Sequence, residues 1–192
     1  TVYPVHAAAA LGSDGTNVCA VGGFNGQELP TATVYHWAEG RTRHYPALPG
    51  PLCSGSADVD SRRQLWFTGG ASSIYRGASV EKTIQVLPLG NVRGPWAADR
   101  WATVGALQLP RCGHVLAHDG RTSLLYSVGG YGGGRDVAVF DVENPHSGGY
   151  HDTVETFDVE TGKATLLGQR MASARTGVGA GFGPCGCLYV VG

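Results

Sequence analysis

The chain has 192 residues, 42% of them hydrophobic, with 14 basic and 15 acidic side chains and a formal net charge of −1. A chain of this size usually forms one domain with a sizeable core. The charges are mixed along the chain and leave no basic stripe to neutralise nucleic-acid phosphates. No apolar run reaches the roughly 18–20 residues that cross a bilayer. We therefore expect neither a nucleic-acid partner nor a membrane partner.

The first residues lack the basic region and long apolar core of a signal peptide, and their sequence is typical of the interior of a module. We therefore expect the chain to belong to a longer protein. Its five cysteines are an odd number without the spacing of a disulfide framework. That pattern favours a reducing compartment such as the cytoplasm.

Short apolar runs, each ending at a glycine pair, recur along the whole chain. The spacing lengthens after the first repeat, which indicates loop insertions in the second and third repeats. Glycine reaches a positive φ without steric cost, so these pairs are predicted to end strands where the chain bends sharply. We assign this structural role to Gly22, Gly23, Gly69, Gly70, Gly129, Gly130 and Gly192.

Apolar segments on both sides of each glycine pair predict four strands per repeat. First strands are expected at 6–11, before a turn at 13–15, and at 115–117, before a turn at 118–121. Third strands are expected at 33–37, 83–87 and 153–159, and a fourth strand at 164–167. Four-stranded antiparallel sheets of this kind stack radially in a propeller, whereas glycine-rich hairpins also occur in sandwiches.

Several segments resemble the kelch repeat. They are Pro110-Arg111 and Ala174-Arg175 ahead of first strands, the run LLYSVGG, and the stretch VETFDVETGKATLL. The resemblance implies an all-β fold, a partial kelch-type β-propeller with about three four-stranded blades and the start of a fourth. The whole chain, residues 1–192, would form one partial propeller. Its blades would cover approximately 1–50, 51–110, 111–174 and, incompletely, 175–192.

Kelch propellers serve both as interaction modules and as enzymes, so the loops decide between functions. Binding residues concentrate on loops that a rigid scaffold holds, and aromatic residues with arginine dominate interfaces. Two insertions, the first at residues 90–100 and the second at 131–152, carry that combination. We predict an interaction surface at Arg93, Trp96, Arg100, Arg135, Phe140, Tyr150 and His151. The leading prediction is a protein-interaction scaffold that uses no cofactor. It would bind either a protein partner or a partner chain that completes the propeller.

The alternative prediction is a relative of the copper-radical oxidases. The segments around Leu52-Cys53-Ser54-Gly55 and before Gly69 resemble galactose oxidase and glyoxal oxidase propellers. In that family a cysteine is linked by a thioether to a copper-ligating tyrosine in the next blade, and Cys53 matches the cysteine. Counting back from each glycine pair puts Gly113 where the tyrosine is expected. The alternative is therefore a degenerate oxidase relative, and copper is implied only in that case.

The pair Cys185-Gly186-Cys187 offers two thiols close together. A structural zinc site takes four ligands, usually from two such pairs, and the sequence has no second pair. We therefore predict no metal site there and interpret the segment as a turn between two strands.

Overall fold

The computed structural model describes residues 10–13, 17–73, 79–89, 100–132 and 149–192. Within these residues the fold is all-β, as the sequence predicts. It consists of four separate antiparallel sheets in which sequential strands are neighbours, and no sheet closes on itself. A single short 3-10 helix, Trp37–Glu39, lies among the described residues.

The first sheet contains β1 (Ala10–Ser13), β2 (Asn17–Val21), β3 (Ala32–His36) and β4 (Arg41–Tyr45). The second contains β5 (Ser56–Val59), β6 (Gln64–Thr68), β7 (Thr83–Pro88) and β8 (Ala102–Ala106). The third contains β9 (Val115–His118), β10 (Leu124–Val128), β11 (Thr153–Asp158) and β12 (Lys163–Arg170). The fourth is the hairpin of β13 (Gly179–Phe182) and β14 (Leu188–Val191).

Some predicted boundaries need correction. Ser13 ends β1 instead of opening the predicted turn, and the rest of that turn, 14–15, lies outside the described residues. The fourth strand of the third sheet, β12, is longer than the predicted 164–167. Tight antiparallel pairing with β11 extends it to Arg170, across a register shift between Thr153 and Glu155.

Strands β6 and β7 of the second sheet are buried on both faces, and this explains the continuous apolar run in β6. Along β6, Leu65 and Phe67 pack into a cluster shared with the first sheet, whereas Trp66 packs into a cluster shared with the third. The ring centroid of Trp66 lies 5.9 Å from that of Phe157 in the third sheet. Side chains alternate faces along a strand, so a strand between two sheets needs apolar residues at both kinds of position.

The first strands of successive sheets lie side by side. Between the second and third sheets, the Leu116 N–H donates to the Ser56 hydroxyl at 2.7 Å. The His118 N–H donates to the Asp58 carboxylate at 2.7 Å. Side-chain oxygens of β5 thus accept hydrogen bonds from backbone N–H groups of β9 that do not pair within the third sheet. Hydrogen bonds therefore supplement apolar packing between these two sheets.

Each glycine pair joins its own sheet to the next one. The second glycine donates its N–H to a carbonyl just before the next first strand, a contact that we call the seam. All six glycines of the pairs have positive φ, between 60° and 113°. The seam bonds are Gly23 to Leu52 at 2.9 Å, Gly70 to Arg111 at 2.8 Å, and Gly130 to Arg175 at 2.8 Å.

The first glycine of each pair makes room for that same carbonyl. A Cβ on Gly129 would stand 2.7 Å from the Arg175 carbonyl oxygen, and a Cβ on Gly69 would overlap the Arg111 carbonyl oxygen. The glycines are therefore needed for two reasons, the positive φ and the close approach of the neighbouring backbone.

Candidate functional site

The sheets present two different ends to the surroundings. In an up-and-down sheet, successive hairpin connections alternate between its two ends. We call the end with the glycine pairs the diglycine end. The opposite end carries the turns that join first and second strands, at 60–63, 119–123 and 183–187, and we call it the hairpin end.

The two predicted insertions leave their sheets at opposite ends. The first joins the third and fourth strands of its sheet at the hairpin end, where the Leu89 N–H donates to the Arg63 carbonyl at 2.9 Å. The second joins second and third strands at the diglycine end, where the Gly132 N–H donates to the Gly149 carbonyl at 2.8 Å. Both insertions were predicted to form one surface, whereas the topology separates their starting points.

Four of the predicted interaction residues, Arg93, Trp96, Arg135 and Phe140, lie outside the described residues. Arg100 is exposed beside the buried Trp101. Tyr150 is half-buried, and its ring packs 5.2 Å from that of Tyr131. His151 is half-buried, and its Nε2 lies 3.1 Å from the Pro110 carbonyl oxygen. Tyr150 and His151 thus contact the diglycine end of their own sheet.

The structure corrects the register that compared Cys53 with Gly113. Cys53 forms a bridge with Ala71, and Cys112 forms the same bridge with Tyr131. Ala71 and Tyr131 each follow their glycine pair directly, so Cys53 corresponds to Cys112 in the next sheet. Counting back from the glycine pairs gave a register that is wrong by one residue. The turn between first and second strands is one residue longer in the third sheet (119–123) than in the second (60–63).

Backbone conformation supports this register. Ser54 and Gly113, the residues after the two cysteines, have φ values of 54° and 60°. Gly177 has a φ of 64° and occupies the same place before the fourth sheet. The three residues form a ladder, in which Gly113 N–H donates to Ser54 O at 2.6 Å and Gly177 N–H donates to Gly113 O at 2.8 Å. Gly113 is therefore the counterpart of Ser54.

The residues at the oxidase-like position do not fit a copper site. Neither Cys112 nor Gly113 supplies the tyrosine that the resemblance implies. The Cys53 thiol is buried and lies 3.5 Å from the Ala71 carbonyl, to which it donates. Burial raises the pKa of Cys112 to about 12, and the nearby Cys53 acts in the same direction. No group of three or more metal-ligating side chains occurs among the described residues.

His114 is a buried, neutral histidine at the diglycine end. Its Nε2 lies 2.8 Å from the Thr68 hydroxyl of the preceding sheet. Burial, helped by the charge of Arg111 and by His151, lowers the pKa of His114 to about 3. A group that stays neutral throughout the physiological range is unsuited to general acid–base catalysis, which needs a pKa near the working pH.

Arg111 and Glu155 form a fully buried ion pair in the third sheet. The Arg111 guanidinium donates to the Glu155 carboxylate at 2.8 and 3.1 Å and to the Thr153 hydroxyl at 2.6 Å. It also donates to the Gly129 carbonyl at 2.6 Å, and so holds the first glycine of the pair in place. This arrangement anchors the chain entering the third sheet.

The Glu155 carboxylate completes the network. It accepts two backbone N–H groups, from Gln108 at 2.5 Å and from Leu109 at 3.1 Å. A buried carboxylate needs such donors to offset its desolvation, and here they come from the connection between two sheets. The pair is therefore a structural feature of the seam.

The hairpin end carries exposed charges around an open cleft of about 320 Å³. Arg62 of the second sheet reaches Glu160 of the third at 2.6 Å, and both side chains are more than half exposed. Arg121 donates to the Asp119 carboxylate through Nε at 2.9 Å and Nη2 at 3.2 Å, and it holds the pKa of Asp119 below its usual range. The cleft thus offers charges of both signs to a ligand.

This cleft was not predicted from the sequence. The turn sequences Asp60-Ser-Arg-Arg and Asp119-Gly-Arg-Thr do carry the signal, an aspartate followed by arginine in two equivalent turns. Each aspartate accepts backbone N–H groups of its own turn, from Arg62 at 2.9 Å and from Arg121 at 3.1 Å. Aspartate in this position fixes a turn and leaves the arginine side chain exposed.

The turn at 183–187 places the thiols of Cys185 and Cys187 at the hairpin end, and both residues are exposed. The turn closes through hydrogen bonds from the Gly183 N–H to the Cys187 carbonyl and from the Gly186 N–H to the Gly183 carbonyl. The predicted turn is thereby confirmed.

Comparison with known proteins adds no assignment. No family model matches the chain, and no curated protein matches it. Among the described residues, no helix has the length and apolar character required to cross a membrane.

Proposed function

We propose that the chain is a section of a kelch-type β-propeller that serves as a scaffold for a protein partner. The observation that carries the proposal is the seam, which recurs three times with the same donor and acceptor positions. Neighbouring first strands and up-and-down sheets are the features of propeller blades. A repeated backbone link between blades gives a rigid frame on which loops can be displayed.

The hairpin end is the surface that we assign to the partner. It combines the exposed pair Arg62 and Glu160 with Arg121 in one cleft. The segment with Arg93 and Trp96 starts from the same end, beside Leu89. Arginine and tryptophan are enriched among the residues that dominate binding energy, so this end has the composition of an interface. At the diglycine end, by contrast, the buried polar side chains of Arg111, Glu155 and His114 bond within the protein.

The proposal is tested by quantitative affinity capture with matched variants, followed by titration of each captured protein in purified form. One variant reverses the cleft charges (R62E/R121E) and another truncates the insertion (R93A/W96A). The control, R43E, changes an exposed arginine on the outer strand β4. We expect a partner whose affinity falls at least about tenfold with either variant and stays unchanged with the control.

Two outcomes contradict the proposal. A partner that binds wild type and both hairpin-end variants equally would move the interface elsewhere. A purified chain that captures no protein selectively would remove the scaffold function itself. Thermal melts of all variants distinguish either result from unfolding, because the substituted cleft side chains are exposed and their loss should leave the melting temperature nearly unchanged.

A further inference from the structure

The turn Cys185-Gly186-Cys187 has a built environment that the scaffold function does not use. The Cys187 N–H donates to the Cys185 sulfur at 3.4 Å. The Tyr189 hydroxyl lies 3.6 Å from the same sulfur. Two donors thus converge on one exposed thiol, an arrangement that favours the thiolate.

Arg121 adds a positive charge beside the turn. Its guanidinium lies directly over Gly186, at the place where any Cβ on that residue would stand. Gly186 also has a φ of 80°, which favours glycine on its own account. The glycine between the cysteines is therefore needed for both the turn and the approach of Arg121. Asp119 holds the guanidinium there through two hydrogen bonds from the third sheet.

The protonation behaviour agrees with this geometry. Hydrogen bonds from the Cys187 thiol, the Tyr189 hydroxyl and the Cys187 N–H lower the pKa of Cys185 to about 7. The same thiol–thiol hydrogen bond raises the pKa of Cys187 and outweighs the Arg121 charge, which acts in the opposite direction. One sulfur is thus the better nucleophile at neutral pH, and the other remains protonated beside it. That division suits an attacking and a resolving cysteine.

We propose that Cys185 and Cys187 form a reversible dithiol redox site, in which a hydroperoxide oxidises Cys185 and Cys187 resolves the product to a disulfide. The Cys185 thiolate attacks the peroxide oxygen, the O–O bond breaks, and the leaving alkoxide or hydroxide takes a proton from water. Cys185 is then a sulfenic acid. The Cys187 sulfur attacks it, the S–S bond forms, and the S–O bond breaks with release of water. Overall, two thiols and one hydroperoxide give a disulfide, an alcohol and water.

The other cysteines serve as internal controls. Cys19, Cys53 and Cys112 are buried, and burial raises the pKa of Cys53 and of Cys112. Buried, protonated thiols react slowly with peroxides, so oxidation of the native chain should be confined to the turn. The substitutions for the test lie at exposed positions and should leave the fold intact.

The experiment treats the reduced full chain with one equivalent of hydrogen peroxide at pH 7 and maps the products by mass spectrometry. We expect the peptide containing both cysteines to lose two hydrogens and to regain them with dithiothreitol. C187S should retain a dimedone-reactive sulfenic acid on Cys185. C185S should react at least about tenfold more slowly than wild type, because the remaining thiol is mostly protonated.

A second measurement tests the role of the hydrogen bonds. The rate of iodoacetamide alkylation of Cys185 should rise with pH around a midpoint near 7. Y189F removes one donor and should move that midpoint upward, whereas Y35F, at an exposed tyrosine of the first sheet, should not. The proposal is overturned by a midpoint near the ordinary cysteine value of about 8.5. Sulfenic acid on Cys187, or oxidation only to intermolecular disulfides, would overturn it as well.

Discussion

Each end of the sheets carries an ion pair between distant segments, and the two pairs differ in burial. At the diglycine end, Arg111, Glu155 and His114 are buried and their hydrogen bonds stay within the protein. At the hairpin end, the ion pair of Arg62 and Glu160 lies in the open. Buried charge fixes the seam between the second and third sheets, whereas exposed charge is the kind that our proposal assigns to a partner.

The largest expected effect comes from breaking the buried ion pair. Glu155→Ala leaves the Arg111 guanidinium buried without its carboxylate, and such losses cost about 3–5 kcal/mol of unfolding free energy. Leu52 and Gln85 occupy the corresponding positions of the second sheet. The double variant R111L/E155Q should therefore lose less stability than E155A, because it removes both charges. Urea melts of both variants measure this, and a double variant less stable than E155A would contradict it.

The next largest loss of unfolding free energy is expected for a substitution at a seam glycine, compared with the same substitution at a turn glycine. Gly69→Ala introduces a Cβ that overlaps the Arg111 carbonyl at a φ of 60°, so strain and overlap should together cost about 2–4 kcal/mol. Gly162→Ala has a similar φ of 70° with no atom nearby, and only the conformational cost of about 1 kcal/mol should appear. Equal losses in chemical denaturation would show that the close approach is not a constraint.

Acidification should destabilise the protein through His114. Its folded-state pKa of about 3 lies below the unfolded value of about 6.5, so the unfolded chain binds more protons between these pH values. The contribution to stability is present above pH 6.5 and is lost as the pH falls toward 3, at up to about 1.4 kcal/mol per pH unit.

The variant His114→Gln isolates this contribution, because its amide can still bond to Thr68 but does not titrate. Burial also lowers the pKa of His151, which acts in the same direction, so the difference between wild type and variant is the informative quantity. Parallel curves of stability against pH for the two proteins would argue against a buried neutral His114.

The smallest effect is expected for the exposed pair. Arg62→Ala should change the unfolding free energy by less than about 1 kcal/mol, because solvent-exposed ion pairs contribute little. The change should shrink further at high salt, since mobile ions screen such charges. A loss comparable to that of E155A in the same melts would erase the distinction between the two ends.

The sequence predicts the inner part of the fold better than the outer part. The third strand at 83–87 is confirmed as β7, because a buried strand between two sheets carries a run of apolar and β-branched residues. The sequence did not predict the outer strand β4 (Arg41–Tyr45). Its residues are mostly exposed and do not alternate between apolar and polar side chains. Its position follows from pairing with β3, which is a tertiary property.

The site was less predictable than the fold, for a physical reason. Arg111 and Glu155 are 44 residues apart in sequence and meet only when the third sheet forms. The register of Cys53 depended on turn length, and a single additional residue in the turn at 119–123 was enough to shift it. Patterns that repeat along the chain could be predicted from the sequence, whereas contacts between distant segments could not.

Three equivalent seam bonds join the four sheets. Native-state hydrogen exchange tests these bonds directly at the donating amides of Gly23, Gly70 and Gly130. We expect all three amides to be protected to the level of the central strands, and far more than the amide of the exposed turn residue Gly120. Exchange of the three seam amides as fast as that of Gly120 would show that the seam bonds do not hold the sheets together.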